Sequence, residues 1–145
     1  TPTQAQVGKA ITVTASYTDL HDALETFTSK ATTVVTNIND SPSGAVSIAG
    51  TATQGQKLSA SNTLSDMDGI PSTGDGAIKY QWKAGGVAIA GATGNSYILT
   101  QAEVGKAITV VASYTDGHGT LESLTSTAVG PVANVNASAS PAPSQ

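Results

Sequence analysis

The chain repeats itself. The stretch from Thr3 to Asn39, opening TQAQVGKAITVTASYTD, returns as Thr100 to Asn136, opening TQAEVGKAITVVASYTD; Val7 aligns with Val104 at an offset of 97 residues, without a gap. Roughly two-thirds of the aligned positions are identical, which chance does not produce over such a length. The 145 residues therefore hold about one and a half copies of one unit. Residues 41–137 read as a complete repeat and residues 1–40 as the back part of a preceding copy. Residues 138–145 are small, polar and Pro-containing, and read as a linker or frayed tail. The start at Thr1 reads as a cut within a longer chain.

Within the complete copy apolar residues recur with a period of two. Ile108, Val110, Ala112 and Tyr114 alternate with Ala107, Thr109, Val111 and Ser113, and Ile78, Tyr80 and Trp82 alternate with Lys79, Gln81 and Lys83. Shorter versions are Val46 and Ile48, Leu58 and Ala60, Val87 and Ile89, and Tyr97 and Leu99. Such alternation suits antiparallel strands with one buried face. Turn formers separate the runs: Gly55, Asp68-Gly69, Gly85-Gly86, Gly91 to Asn95, and Asp116 to Gly119. Residues 121–135 supply a last, irregular strand broken near Gly130-Pro131, and Thr100 to Val104 can form one helical turn. About seven short strands with a turn every 8–12 residues predict an all-β, antiparallel two-sheet sandwich.

Composition removes several function classes. With no cysteine there are no disulfides, thiolate metal sites or cysteine nucleophiles. A net charge of −4 denies the basic face that nucleic acid or an anionic membrane demands. No apolar run approaches a membrane span, and the stretch reads as one without a signal peptide. The chain carries no nucleophile elbow, no His-Glu-x-x-His and no phosphate-binding glycine loop. His21 and His118 occupy equivalent positions in successive copies and do not share a site. The expectation is a protein that is not an enzyme.

The order of these elements carries a resemblance. Tyr97-x-Leu99-Thr100-x-x-Glu103-Val104-Gly105-Lys106, feeding a strand, resembles the turn before strand F of immunoglobulin-like domains, and Tyr80-Gln81-Trp82 resembles their strand C with its core Trp. With GTATQGQKLSASNTLSDMDG and the closing VANVN, the whole is similar to the tandem Ig-like repeats of very large bacterial surface adhesins, the biofilm-associated, type I-secreted, calcium-dependent group. That resemblance implies an extracellular or cell-surface stalk repeat whose partners are the neighbouring repeats of its own chain. A polysaccharide- or protein-binding sandwich module is the alternative, and an accessory domain of a secreted polysaccharide-degrading enzyme a third reading. Trp82 separates the first two. Its phase with Ile78 and Tyr80 places it in the core, whereas a sugar platform requires it exposed.

Carboxylates are the candidate chemistry. Asp66 and Asp68 lie between strands B and C, Asp116 between F and G, and Asn39 and Asp40 just before strand A. An Ig-like sandwich brings these three places to one pole, where clustered carboxylates suit calcium, a hard cation with six to eight oxygen ligands. The Asn-x-Asn-Asp-x-Pro segment also resembles the calcium-stiffened linkers of cadherins. Plain turn chemistry explains the same Asp-Gly and Asn-Asp pairs, since Asx side chains cap local backbone groups. In the second linker, Asn134 to Ser138, the counterpart of Asp40 is alanine. Residues 1–40 hold only a closing hairpin, Lys9–Asp19 and Leu24 to about Val35, without strands to cover Ile11, Val13, Ala15 and Tyr17. The expected outcomes are disorder, replacement of the second hairpin, or strand exchange or edge pairing with another molecule.

Overall fold

The computed structural model describes residues 1–135, so the proposed tail and the end of the second linker lie outside the described residues. The chain divides into two compact units, Thr1–Asp40 and one beginning at Ser41. Strands β1 (Thr14–Thr18) and β2 (Leu24–Thr28) belong to the first. The second holds β3 (Val46–Ala49), β4 (Lys57–Asn62), β5 (Lys79–Ala84), β6 (Val87–Ala88), β7 (Ser96–Ile98), β8 (Ile108–Thr115) and β9 (Leu121–Thr125). Among the described residues no helix is long and apolar enough to cross a membrane.

In the second unit a three-stranded sheet, β3-β4-β7, faces a four-stranded one, β6-β5-β8-β9, and every strand pair is antiparallel. This is the A-B-E and C′-C-F-G order of an immunoglobulin-like sandwich. The alternation of β8 sends Ile108, Val110, Ala112 and Tyr114 inward, where all four are buried. Across the strand pair Trp82 lies opposite Val110 and Ala84 opposite Ile108. Val46 and Leu58 close the core from the other sheet.

Trp82 is fully buried, and its indole N–H donates to the Gly94 carbonyl at 2.9 Å. The one polar atom of the ring is thereby satisfied away from water. Its ring centroid lies 6.3 Å from that of Tyr97. A Trp held this way is unavailable as a sugar platform.

The expected helical turn is a 3-10 turn over Gln101–Glu103, closed by a capping box in which Glu103 accepts from the Thr100 backbone N–H and hydroxyl. Glu103 also accepts from the Tyr97 hydroxyl at 3.2 Å, which ties the turn to β7. Burial raises the carboxyl pKa of Glu103, but the Thr100 and Tyr97 hydrogen bonds and Lys106 outweigh it and leave a net lowering. The last strand breaks earlier than the expected Gly130-Pro131: β9 ends at Thr125, and beyond it, among the described residues, single bridges form, Val129 to Ile108, Val132 to Val104 and Ala133 to Thr53. Pro131, preceded by a cis bond, has no N–H to offer a ladder.

The first unit is a hairpin with the same register as β8–β9. Ala15 pairs with Phe27 and Tyr17 with Glu25, as Ala112 pairs with Leu124 and Tyr114 with Glu122. The bonds beyond the strands recur too: the Gly8 N–H reaches the Val35 carbonyl at 2.9 Å, and the Gly105 N–H reaches that of Val132 at 2.9 Å. Every residue of β1 and β2 is exposed.

Trp82→Ala removes the largest core side chain and is expected to cost about 3–5 kcal/mol, as large aromatic truncations do. Urea unfolding followed by circular dichroism measures this. The wild-type chain should show blue-shifted Trp emission that resists iodide; water-like emission would contradict the packing.

Candidate metal centre

One pole of the second unit gathers three carboxylates. One oxygen from each of Asp66, Asp116 and Glu122 lies within 4.8 Å of the others. Asp66 follows β4, where the Ser43–Ser65 bridge fixes the segment leading into β3 beside it. Its Oδ1 accepts from the Asp68 N–H at 2.8 Å, an Asx turn, and its Oδ2 accepts from the Tyr114 hydroxyl at 2.6 Å. Burial and this contact with a carboxylate both hold the Tyr114 phenol well above its usual range.

Asp116 sits at the mouth of the β8–β9 hairpin. Its Oδ1 accepts from the His118 and Thr120 N–H groups, each at 2.8 Å. Those bonds, that from Thr120 foremost, favour the ionised form and lower the Asp116 pKa. Its Oδ2 is buried and has no hydrogen-bond partner, an uncommon condition for a carboxylate that is only 4% exposed. Glu122 stands on β9 opposite Tyr114, on the inward-facing side of the strand.

The loops carrying these groups are locked together. The Gly117 N–H contacts the carbonyls of both Asp68 and Gly69, at 3.1 and 3.0 Å. A side chain at Gly117 would have its Cβ 2.6 Å from the Asp68 carbonyl oxygen, so only glycine permits this approach.

Of the five residues named from sequence, the structure brings Asp66 and Asp116 together. Asp68 is buried in the same loop but is not one of the three clustered carboxylates; its backbone carbonyl holds Gly117. Asn39 and Asp40 lie at the end of the first unit. Glu122 escaped the sequence reading, which attended to Asp-Gly turns. Its signal was the strand phase: Glu122 shares alternation with Leu124 and so falls on the inward face.

The donor set consists of hard oxygens, and one of them, Asp116 Oδ2, is buried without a proton donor. Such a group could hold a metal ion. Comparison with family models, with curated proteins and with solved structures finds no match to this chain.

The depressed pKa of Asp116 has a direction in pH. A group whose folded pKa lies below its unfolded value, about 3.9, contributes stability that is complete above that value and lost as pH falls through the folded pKa. Asp116→Asn should therefore flatten the loss of stability below about pH 4. Thermal melts of both chains in chelator from neutral to acid pH measure this; parallel profiles would contradict the assignment.

Proposed function

We propose that this chain is a stretch of stalk: an extender repeat of a secreted or cell-surface bacterial adhesin, each copy carrying calcium at its Asp66–Asp116–Glu122 pole. The observation that carries this reading is the return of one hairpin, with the same register and the same flanking hydrogen bonds, 97 residues further along (Val7 to Val104). A sequence kept so constant across two copies suits a part used many times over. It does not suit one specialised binding face.

The mechanism is mechanical. Sandwiches joined end to end make a rod, and rigidity of each pole limits how far the rod bends. Asp66 comes from one loop and Asp116 and Glu122 from the β8–β9 hairpin, so one cation bound to all three would cross-link the loops that Gly117 already joins. The mildly acidic, sparsely charged surface keeps like repeats from adhering to one another. The competing reading, a carbohydrate-binding module, loses its strongest residue, because Trp82 is inside the core.

Two measurements test the proposal separately. Tandem arrays of one, two and three copies should gain length by a constant increment in small-angle scattering, and a compact particle would overturn the stalk. Calcium should raise the melting temperature of the chain, by up to about 2.7 kcal/mol of stabilisation at a hundredfold excess over its dissociation constant. Magnesium should do less, because it demands tighter octahedral geometry. Asp66→Asn and Asp116→Asn should each abolish the calcium effect. Melting curves that superimpose in millimolar calcium and in chelator would remove the cation from the reading and leave the stalk standing.

A further inference from the structure

The chain enters and leaves the second unit at opposite poles. It comes in at Ser43, which is bridged to Ser65 beside Asp66, and β3 then runs antiparallel to β4, from Val46 opposite Asn62 to Ala49 opposite Ser59. Past β3, residues 52–55 reach the other pole, where the Gly55 N–H donates to the Leu99 carbonyl at 2.8 Å. The chain leaves there. The Gln54 N–H donates to the Ala133 carbonyl at 2.9 Å, and the Val135 N–H to Gln54 Oε1 at 3.3 Å. Tension along the chain is therefore applied across the full length of the sandwich.

The exit segment, residues 132–135, is held differently from the strands. All strand pairs of the unit are antiparallel, whereas this segment makes parallel bridges, Thr53 to Ala133 and Val104 to Val132. On one side the Ala133 N–H donates to the Ala52 carbonyl at 2.9 Å, and the Ala133 carbonyl accepts from Gln54. On the other side the Val132 N–H donates to the Lys106 carbonyl at 3.0 Å, and the Val132 carbonyl accepts from the Gly105 N–H at 2.9 Å. Val132 itself is buried in the core. The second pair of bonds recurs in the first unit, where Val35 donates to the Lys9 carbonyl and accepts from the Gly8 N–H, each at 2.9 Å.

The direction of these segments decides how they meet a pull. Tension draws Thr53 back toward Ser43, on its N-terminal side, and draws Ala133 away on its C-terminal side. Bonds between neighbouring segments lie across the chain direction. Two parallel segments pulled at opposite ends slide past each other, so the bonds between them must break together. In an antiparallel pair the same two pulls would fall at one end and open the bonds one after another. Sliding must also draw Val132 out of the core and expose its apolar surface to water.

We propose that residues 52–54 and 132–135 form a tension clamp, a parallel patch that resists a pull along the chain and sets how fast the unit unfolds under force. Its use rests on the stalk reading, since a repeat needs such a clamp when it stands between a tethered end and a pulled one. Unfolding under force is governed by a rate, so resistance belongs to whichever contacts must break first along the pull. The Thr53–Ala133 bridge joins the segment that follows β3 to the segment that ends the unit, and neither can be drawn out of the sandwich until that bridge has sheared.

Single-molecule force measurements on the full chain test this. The chain has no cysteine, so a pair of introduced cysteines defines where force enters. Handles on Ser41→Cys and Val135→Cys load the clamp in shear. Handles on Gln56→Cys and Val135→Cys, both at the exit pole, open it from one end. At equal force the first pair should give unfolding slower by about tenfold, the factor that one or two backbone hydrogen bonds contribute to a rate. Ala133→Pro deletes the N–H that reaches Ala52, and should speed unfolding through the Ser41 and Val135 handles by about tenfold. Blue-shifted Trp82 emission shows that this variant folds, and the comparison of handles decides the matter if it does not. Equal rates through the two pairs of handles, or a folded Ala133→Pro chain that unfolds under force as slowly as its parent, would overturn the clamp. Either result leaves the stalk to be judged by the length of tandem arrays, and a compact array would leave the measured clamp in place.

Discussion

The seating of β8 against β5 governs this structure. β8 supplies Ile108, Val110, Ala112 and Tyr114 to the core, and its pairing with β5 places Val110 opposite Trp82. A sandwich with one Trp and one Phe in the whole chain has few large side chains with which to fill its interior. Small residues elsewhere, Ala84, Ala92 and Ala112 among them, let the two sheets close on the indole. Losing the Trp leaves a cavity that such neighbours are too short to fill. In the first unit the matching Val13, Ala15 and Tyr17 are exposed.

The pole depends on that seating too. Tyr114 is the last inward residue of the β8 stripe, and its hydroxyl reaches Asp66 across the sandwich end. Two residues later Asp116 turns the hairpin, and Gly117 fastens it to the loop that carries Asp66. Core packing and carboxylate placement are therefore consecutive parts of one strand and its turn. The electrostatic cost of holding three carboxylates together is met partly by local N–H donors, as at Asp116 Oδ1. Asp116 Oδ2 lacks such a donor.

Much of the fold was legible because strand alternation has a strict physical cause: successive side chains on a strand point to opposite faces. Ile108 to Tyr114 declared the inward face of β8, and the phase of Trp82 its place in the core; β9 nevertheless ends at Thr125, short of Gly130-Pro131. The candidate site was only half legible. Asp66 and Asp116 stand in Asp-Gly turns, which sequence displays, but Asp68 shares such a turn and is used through its backbone instead. Glu122 stands in a strand, where a carboxylate reads as an ordinary outward residue until its phase is counted from Leu124.

The sequence by itself determined the repeat, the all-β class, the buried stripe and the position of the turns, because each of these rests on local periodicity or on identity between aligned residues. Only the tertiary structure decided which carboxylates meet. That choice depends on the β8–β9 register, which sets Glu122 opposite Tyr114, and on the approach of Gly117 to Asp68, which draws two loops together from 48 residues apart, the separation of Tyr114 from Asp66. Contacts between residues so distant in the chain leave no mark in local periodicity, since they arise when two sheets close over one core.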